Sequence, residues 1–365
     1  MRMKWPALVA AVVGLGAFPA SGEGLRSLSQ AAGYVYGGVV LSVDWFGPYV
    51  AVGGYTGGGG QELRVLRLEA GALTEIAAAD FDALVYSLAW HPSGAYLAVG
   101  GDSSLYAEVR TFAFDGASLV ELAGGSVDTS SEVHSVDWSP DGNHLALAEI
   151  NGGDGAELRV LAFDGATLTA IPTATFDHGN LLFAVDWSPS GTFLGVAGEN
   201  GTGGFEVRVL SFDGTAVVPV AGFDQIGGVL VLDWNQSGSL LGFNGPGSDL
   251  RIVSFDGSTL THEASFDHGA PVVTFRWRPG SEFFAISGAP GTGGDEIRVL
   301  EFDPDLSTIT EIDVASHGTT VNDVAWSDDG MYLGSGSYPI ATGVPEVRVW
   351  DTSSVPVELS RFVVE

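Results

Sequence analysis

The stretch Val136-Asp137-Trp138-Ser139-Pro140-Asp141-Gly142 decides the fold. An apolar-acid-Trp run ends directly on a turn. Pro presets φ where the turn starts, and Gly supplies the left-handed position that closes it. The same Trp recurs at positions 45, 90, 138, 187, 234, 277 and 326, at spacings of 45, 48, 49, 47, 43 and 49. A repeat of roughly 40–50 residues is the mark of a propeller or solenoid.

Working outward from each Trp gives the rest of the unit. Eight residues later stands a small residue: Ala98, Ala146, Gly195, Gly242, Ala285 or Gly334. The first repeat has a shorter turn and reaches Ala51. These residues sit in short apolar runs such as Tyr96-Leu97-Ala98-Val99, which read as second strands. A Gly-rich loop follows, as in Gly201-Thr202-Gly203-Gly204. A third strand then carries an acid-apolar-Arg signature, beginning at Glu62, Glu108, Glu157, Glu206, Asp249, Glu296 and Glu346. Asp-Gly hairpins at 115–116, 164–165, 213–214 and 256–257 lead into a fourth strand such as Leu168-Thr169-Ala170-Ile171.

The unit is therefore four short antiparallel strands, and no helical periodicity interrupts them. Seven units predict an all-β, seven-bladed β-propeller of four-stranded antiparallel blades, one domain over residues 23–365. Closing the ring leaves only short, protected edges. The stretch Val355 to Val363 reads as the fourth strand of blade seven. The stretch Leu25 to Tyr34 competes for that place and is the less favoured of the two.

Composition narrows the function classes. The chain has 365 residues, 53 of them Gly and none Cys, with 14 basic residues against 45 acids and a net charge of −31. No Cys means no disulfide framework and no thiolate site. A polyanion repels nucleic acid and anionic lipid. Arg2 and Lys4, an apolar run over 7–17 and the small-x-small Ala20-Ser21-Gly22 have the layout of a secretory signal peptide over 1–22. The expected location is secreted or periplasmic, without membrane insertion. A monomer is expected.

These residues resemble WD-repeat β-propellers in their secreted bacterial, TolB-like style, over residues 34–365. Val136 to Gly142 resembles that family's first strand and turn, and Val347-Arg348-Val349-Trp350-Asp351 its third strand. The family's His ahead of the first strand is matched at His178, His268 and His317, each nine residues before its Trp. The resemblance implies a structural His in a buried His–Ser/Thr–Asp–Trp network. That network lacks its tight-turn Asp here, because the Gly-rich loop replaces it.

Several residue sets could carry chemistry. Each acid-x-Arg pair lies on one strand face and reads as a repeated ion pair, within the strand or across to a neighbour. The Trp ladder reads as core between blades. Asp44, Asp137, Asp186 and Asp233 precede their Trp on the innermost strand and point near the central channel. They read as backbone hydrogen-bond acceptors, with a hard cation such as Ca²⁺ as the alternative. No other cofactor or metal is indicated. Asp177, His178, Asp267, His268 and His317 share one face of the disc with the Gly-rich loops and form the candidate binding set. No Gly-x-Ser-x-Gly elbow, His-Glu-x-x-His or Walker loop occurs.

The reading is an exported, non-enzymatic scaffold for a protein or peptide partner. The alternatives are a metal-assisted propeller hydrolase or lyase, and a surface-layer or matrix protein. The charge favours basic partners.

Overall fold

In the computed structural model, residues 26–56, 60–102, 107–152 and 155–356 are described. The 1–22 segment and most of the 355–363 stretch lie outside them. The described residues form seven antiparallel sheets and no helix. The innermost strands are Val39–Phe46, Leu84–Trp90, Val133–Trp138, Leu182–Trp187, Leu232–Trp234, Val272–Trp277 and Val321–Trp326. Each begins on the Gly-rich-loop face and runs toward the turn face, where the Trp stands. Blades one to six then step outward through their second, third and fourth strands in chain order, and blade seven through its second and third.

Each turn after the Trp works as its residues predict. In blade three, Ser139 Oγ donates to Asp141 Oδ1 and accepts the N–H of His144 at 3.0 Å, while Gly142 takes a φ of 72°. The core lies between blades. Each Trp is at most 7% exposed and packs against the preceding blade. The small residue of the second strand is what permits this approach. A Cβ on Gly195 would stand 3.1 Å from Trp234 Nε1, and one on Gly334 would stand 3.3 Å from Trp45.

Ring closure differs from the expectation. Ser29–Tyr34 pairs antiparallel with Val347–Asp351, so the N-terminal strand is the fourth strand of blade seven. Two buried contacts fix it there: Ala32 packs with Val347 and Val349, and Leu28 packs against blade six. Arg26 and Ser27 run on as a parallel fifth strand beside Asp313 and Val314 of that blade. Short, partly polar Ser29-Gln30-Ala31-Ala32 carries little strand signal alone. Its place is set by the open edge it covers.

Candidate functional site: the central channel and its mouth

The same irregularity recurs on the innermost strands. In six blades the ladder slips one residue at the fourth position before the Trp, as between Val133 and Ser135 or between Leu182 and Ala184. A bulge leaves its extra residue unpaired and re-aims the side chain. The re-aimed residues are Leu41, Tyr86, His134, Phe183, Val273 and Asn322, and Leu230 holds the matching position in blade five. All seven line one cavity of about 310 Å³ at the axis. Tyr86, His134 and Phe183 form an aromatic arc over three adjacent blades, with ring centroids 4.4 and 5.9 Å apart. His134 Nε2 lies 3.2 Å from Glu132. The other members are Leu41, Leu230, Val273 and Asn322, and Asn322 is fixed by its bond to the Val40 carbonyl at 2.8 Å.

Deeper, one residue before each Trp, the positions read Asp44, Ala89, Asp137, Asp186, Asp233, Arg276 and Ala325. Along a strand this ring lies about 10 Å from the mouth. Each Asp clasps the next blade. Asp44, Asp137, Asp186 and Asp233 accept the backbone N–H of Trp90, Trp187, Trp234 and Trp277 at 2.6–2.7 Å. Two residues earlier, Ser42 and Ser87 accept the N–H of Leu88 and Val136, and Asp323 closes the ring on Val43 at 2.9 Å.

The clasps leave five carboxyls around one guanidinium. Loss of water in the channel wall raises the Asp44 pKa to about 6 and that of Asp137 to about 7. Asp186 and Asp233 are held well above the carboxylate range, first by the same desolvation and next by the neighbouring Asp. The Asp137 and Asp186 side chains are in hydrogen-bonding contact, which requires a proton between them. Arg276 lies 3.6 Å from Asp323 and is the counter-charge. The carboxylates thus take the backbone-acceptor role read from sequence. Among the described residues no group of three His, Asp or Glu is arranged to hold a metal ion.

The candidate binding set lies outside this channel. His178 and His268 are fully buried and His317 nearly so. The Nε2 atoms of His178 and His268 bond the carbonyls of Glu199 and Ala289 at 2.7 and 3.0 Å. His317 Nε2 meets Ser335 Oγ at 2.7 Å, and that oxygen accepts Trp350 Nε1–H at 2.8 Å. Each imidazole is closed within its own blade, so the three do not converge. Asp177 and Asp267 are exposed beside them, and Asp267 accepts the N–H of Gly269. The contact of His178 and His268 carbonyls with Thr202 and Thr292 places the His loops against the Gly-rich loops.

The acid-x-Arg signature divides its labour. In the described residues the Glu and the Arg turn to different partners, as Glu157 to the His178 N–H and Arg159 to Glu149. Buried Glu62, Glu108, Glu157, Glu206, Glu296 and Glu346 each accept the backbone N–H nine residues before the next blade's Trp, at 2.7–3.2 Å. The Arg pairs across to another strand, as Arg64 with Glu75 at 3.5 Å and Arg159 with Glu149 at 2.6 Å. It also covers the ring at that same position: Arg64 over Tyr36 and Arg110 over Phe81, at 4.8 and 4.6 Å. A within-strand ion pair misses this because the acid is turned toward the interblade loop.

Comparison with known proteins agrees with the repeat. Residues 76–106, 118–155 and 309–338 match the WD domain, G-beta repeat. Those stretches carry WD40 repeats, set in a seven-bladed propeller. A chain of the mitotic checkpoint complex superposes with a TM-score of 0.63 at 18% identity, covering 94% of this chain and 99% of that one. A protein assigned as a 6-phosphogluconolactonase from Bacteroides uniformis gives 0.67 at 15% identity, covering 79% and 88%. At such identities both likenesses concern the fold alone. No curated protein matches the sequence.

Proposed function

We propose that this protein is an exported, non-enzymatic scaffold that binds a protein or peptide partner on its Gly-rich-loop face. One observation carries the reading: the bulge repeated in six blades aims a ring of side chains into the channel mouth instead of into the core. A device repeated for packing alone would keep its residue in the ladder. The WD40 repeats point the same way, since such propellers commonly bind proteins and one structural neighbour belongs to a protein complex. Export, whether to the periplasm or beyond the cell, rests on the signal-peptide layout of residues 1–22. No cofactor is part of the reading.

The test is cross-linked capture from the source envelope and secreted fractions with the chain beginning at Glu23. A saturable partner that is lost with Phe183→Ala plus Leu230→Ala supports the reading. Absence of any saturable partner overturns it. Mass spectrometry of the exported chain checks the cleavage after Gly22.

A further inference from the structure

On the turn face, opposite the channel mouth, a slot lies beside the turn glycine of a blade and faces the residue that follows the Trp of the blade before. In three seams the chain fills it. Phe46 lies against Gly94, His91 against Gly142 and Arg278 against Gly330. Two of these occupants are planar and donate an N–H to the glycine carbonyl. His91 Nδ1 accepts the Ser93 N–H, so its Nε2 donates to the Gly142 carbonyl at 3.0 Å. Arg278 Nε donates to the Gly330 carbonyl at 3.1 Å. Both lie among rings. His91 has Tyr96, Trp138 and Phe163 around it, with centroids 5.0–5.9 Å away, and Arg278 covers Phe283 and Trp326 at 5.9 and 5.7 Å.

The seam of blades three and four has the same walls, but the chain sends no side chain between them. His144, Trp187 and Phe212 stand where Tyr96, Trp138 and Phe163 surround His91. His144 and Phe212 are 5.0 Å apart, and Trp187 and Phe212 5.3 Å. Ser139 replaces His91, and its hydroxyl turns back to Asp141 and the His144 N–H. A cavity of about 610 Å³ results beside Gly191. The seam of blades seven and one also opens, to about 330 Å³, but the Gly47 carbonyl there already accepts Trp45 Nε1–H at 2.7 Å.

We propose that the seam of blades three and four binds an arginine side chain of a partner protein, with its guanidinium over Phe212 and His144 and an N–H on the Gly191 carbonyl. This is a second surface, independent of the channel mouth. Charge selects a cation. Asp141 stands where the His91 slot has Ser93, Asp213 lines the same cavity, and no Lys or Arg does. Desolvation lowers the His144 pKa, so at neutral pH that ring offers a π-face without a competing charge. Shape selects guanidinium over ammonium, because a planar fork stacks on a ring while its N–H groups point outward in the plane. Arg278 does both in its own slot. The cavity is much larger than one guanidinium, so the occupant arrives with flanking backbone, on a protein segment.

The experiment is an amide chemical-shift titration of the chain from Glu23 with an acetylated, amidated peptide, Gly-Ser-Arg-Ser-Gly, read at Gly191 and Gly214. Versions with lysine or citrulline at the centre, and N-acetyl-arginine amide alone, are titrated in parallel. The arginine peptide is expected to shift both amides saturably and to lose roughly tenfold in affinity with lysine or citrulline. Ser139→Arg offers the slot a guanidinium of the chain's own and is expected to abolish the shifts, while Ser139→Ala keeps them. Both variants lose the Ser139 hydroxyl, so their difference reads the slot and not the turn. Asp141→Ser, which copies Ser93, is expected to weaken binding severalfold. No saturable shift, equal affinity of the lysine or citrulline peptide, or undiminished binding by Ser139→Arg or Asp141→Ser overturns the proposal. N-acetyl-arginine amide binding as tightly as the peptide overturns the protein-borne occupant. A dimer of the chain alone that Ser139→Arg dissociates would make the occupant a second copy and overturn the separate partner.

Discussion

The Phe275 ring fills the space beside Gly242: a Cβ there would lie 2.1 Å from the ring edge. Other blades place Val or Leu at the Phe275 position, and several place Ala at the Gly242 position. The two residues are a matched pair across the seam of blades five and six. Gly242→Ala is expected to cost about 1–3 kcal/mol by overpacking, read as a lowered Tm. Phe275→Leu in the same chain restores most of it. Gly334→Ala, where the nearest atom is 3.3 Å away, shifts Tm little. Equal losses at both glycines would sink this account.

The Glu157 carboxylate accepts the N–H of His178 at 2.8 Å, deep between blades. Removing it strands a buried donor, so Glu157→Ala is expected to cost about 1–3 kcal/mol. Glu157→Gln keeps an acceptor and stays close to the parent. Chemical denaturation of both variants separates a backbone clasp from an ion pair, for which Gln and Ala would behave alike.

The channel carboxyls set a pH dependence. Asp137 holds its proton to about pH 7, against an ordinary value near 3.8. A group that binds its proton more tightly when folded contributes stability at low pH and loses it as pH rises through that window. Asp137→Asn still accepts from Trp187 and donates to Asp186. It is expected to raise Tm by about 2 °C at pH 8, with the gain gone by pH 4. A gain unchanged between those pH values would refute the shared proton.

His317 works in the opposite direction. Burial, and next the Arg348 charge, lower its pKa to about 3. Its folded state resists protonation, so stability is lost as pH falls below about 6.5. His317→Gln is expected to destabilise at pH 7 by loosening Ser335 and Trp350. The gap to the parent then narrows by up to about 1 kcal/mol per pH unit between pH 6 and 4. Unfolding curves at three pH values check this, and a constant gap contradicts it.

How much of this was legible in the sequence depends on the range of the interaction. Trp138 and its turn are local, so blade number, strand order and hairpins follow from spacing. The backbone role of Asp44, Asp137, Asp186 and Asp233 also follows, from strand alternation alone. Tyr86, His134 and Phe183 escaped notice because no motif joins them. They share only the fourth place before a Trp, and a one-residue slip in the ladder makes that place face the channel. Arg276 was passed over for the opposite reason: it breaks the Asp pattern, and only the ring shows what it opposes. The terminal strand was misjudged because pairing at an open edge rewards reach as well as propensity.

That terminal strand has a consequence for biogenesis. Ser29 lies opposite Asp351, so a strand that precedes blade one completes the sheet whose other strands follow blade six. Blades one to six can form in order as the chain emerges. Blade seven cannot, and its third strand keeps a bare edge until Ser29–Tyr34 and Val347–Asp351 meet. Contacts so distant in sequence are slow to form. The ring is thus secured by a late, single seam, and a protease that trims the segment before Gly37 would reopen a finished molecule there.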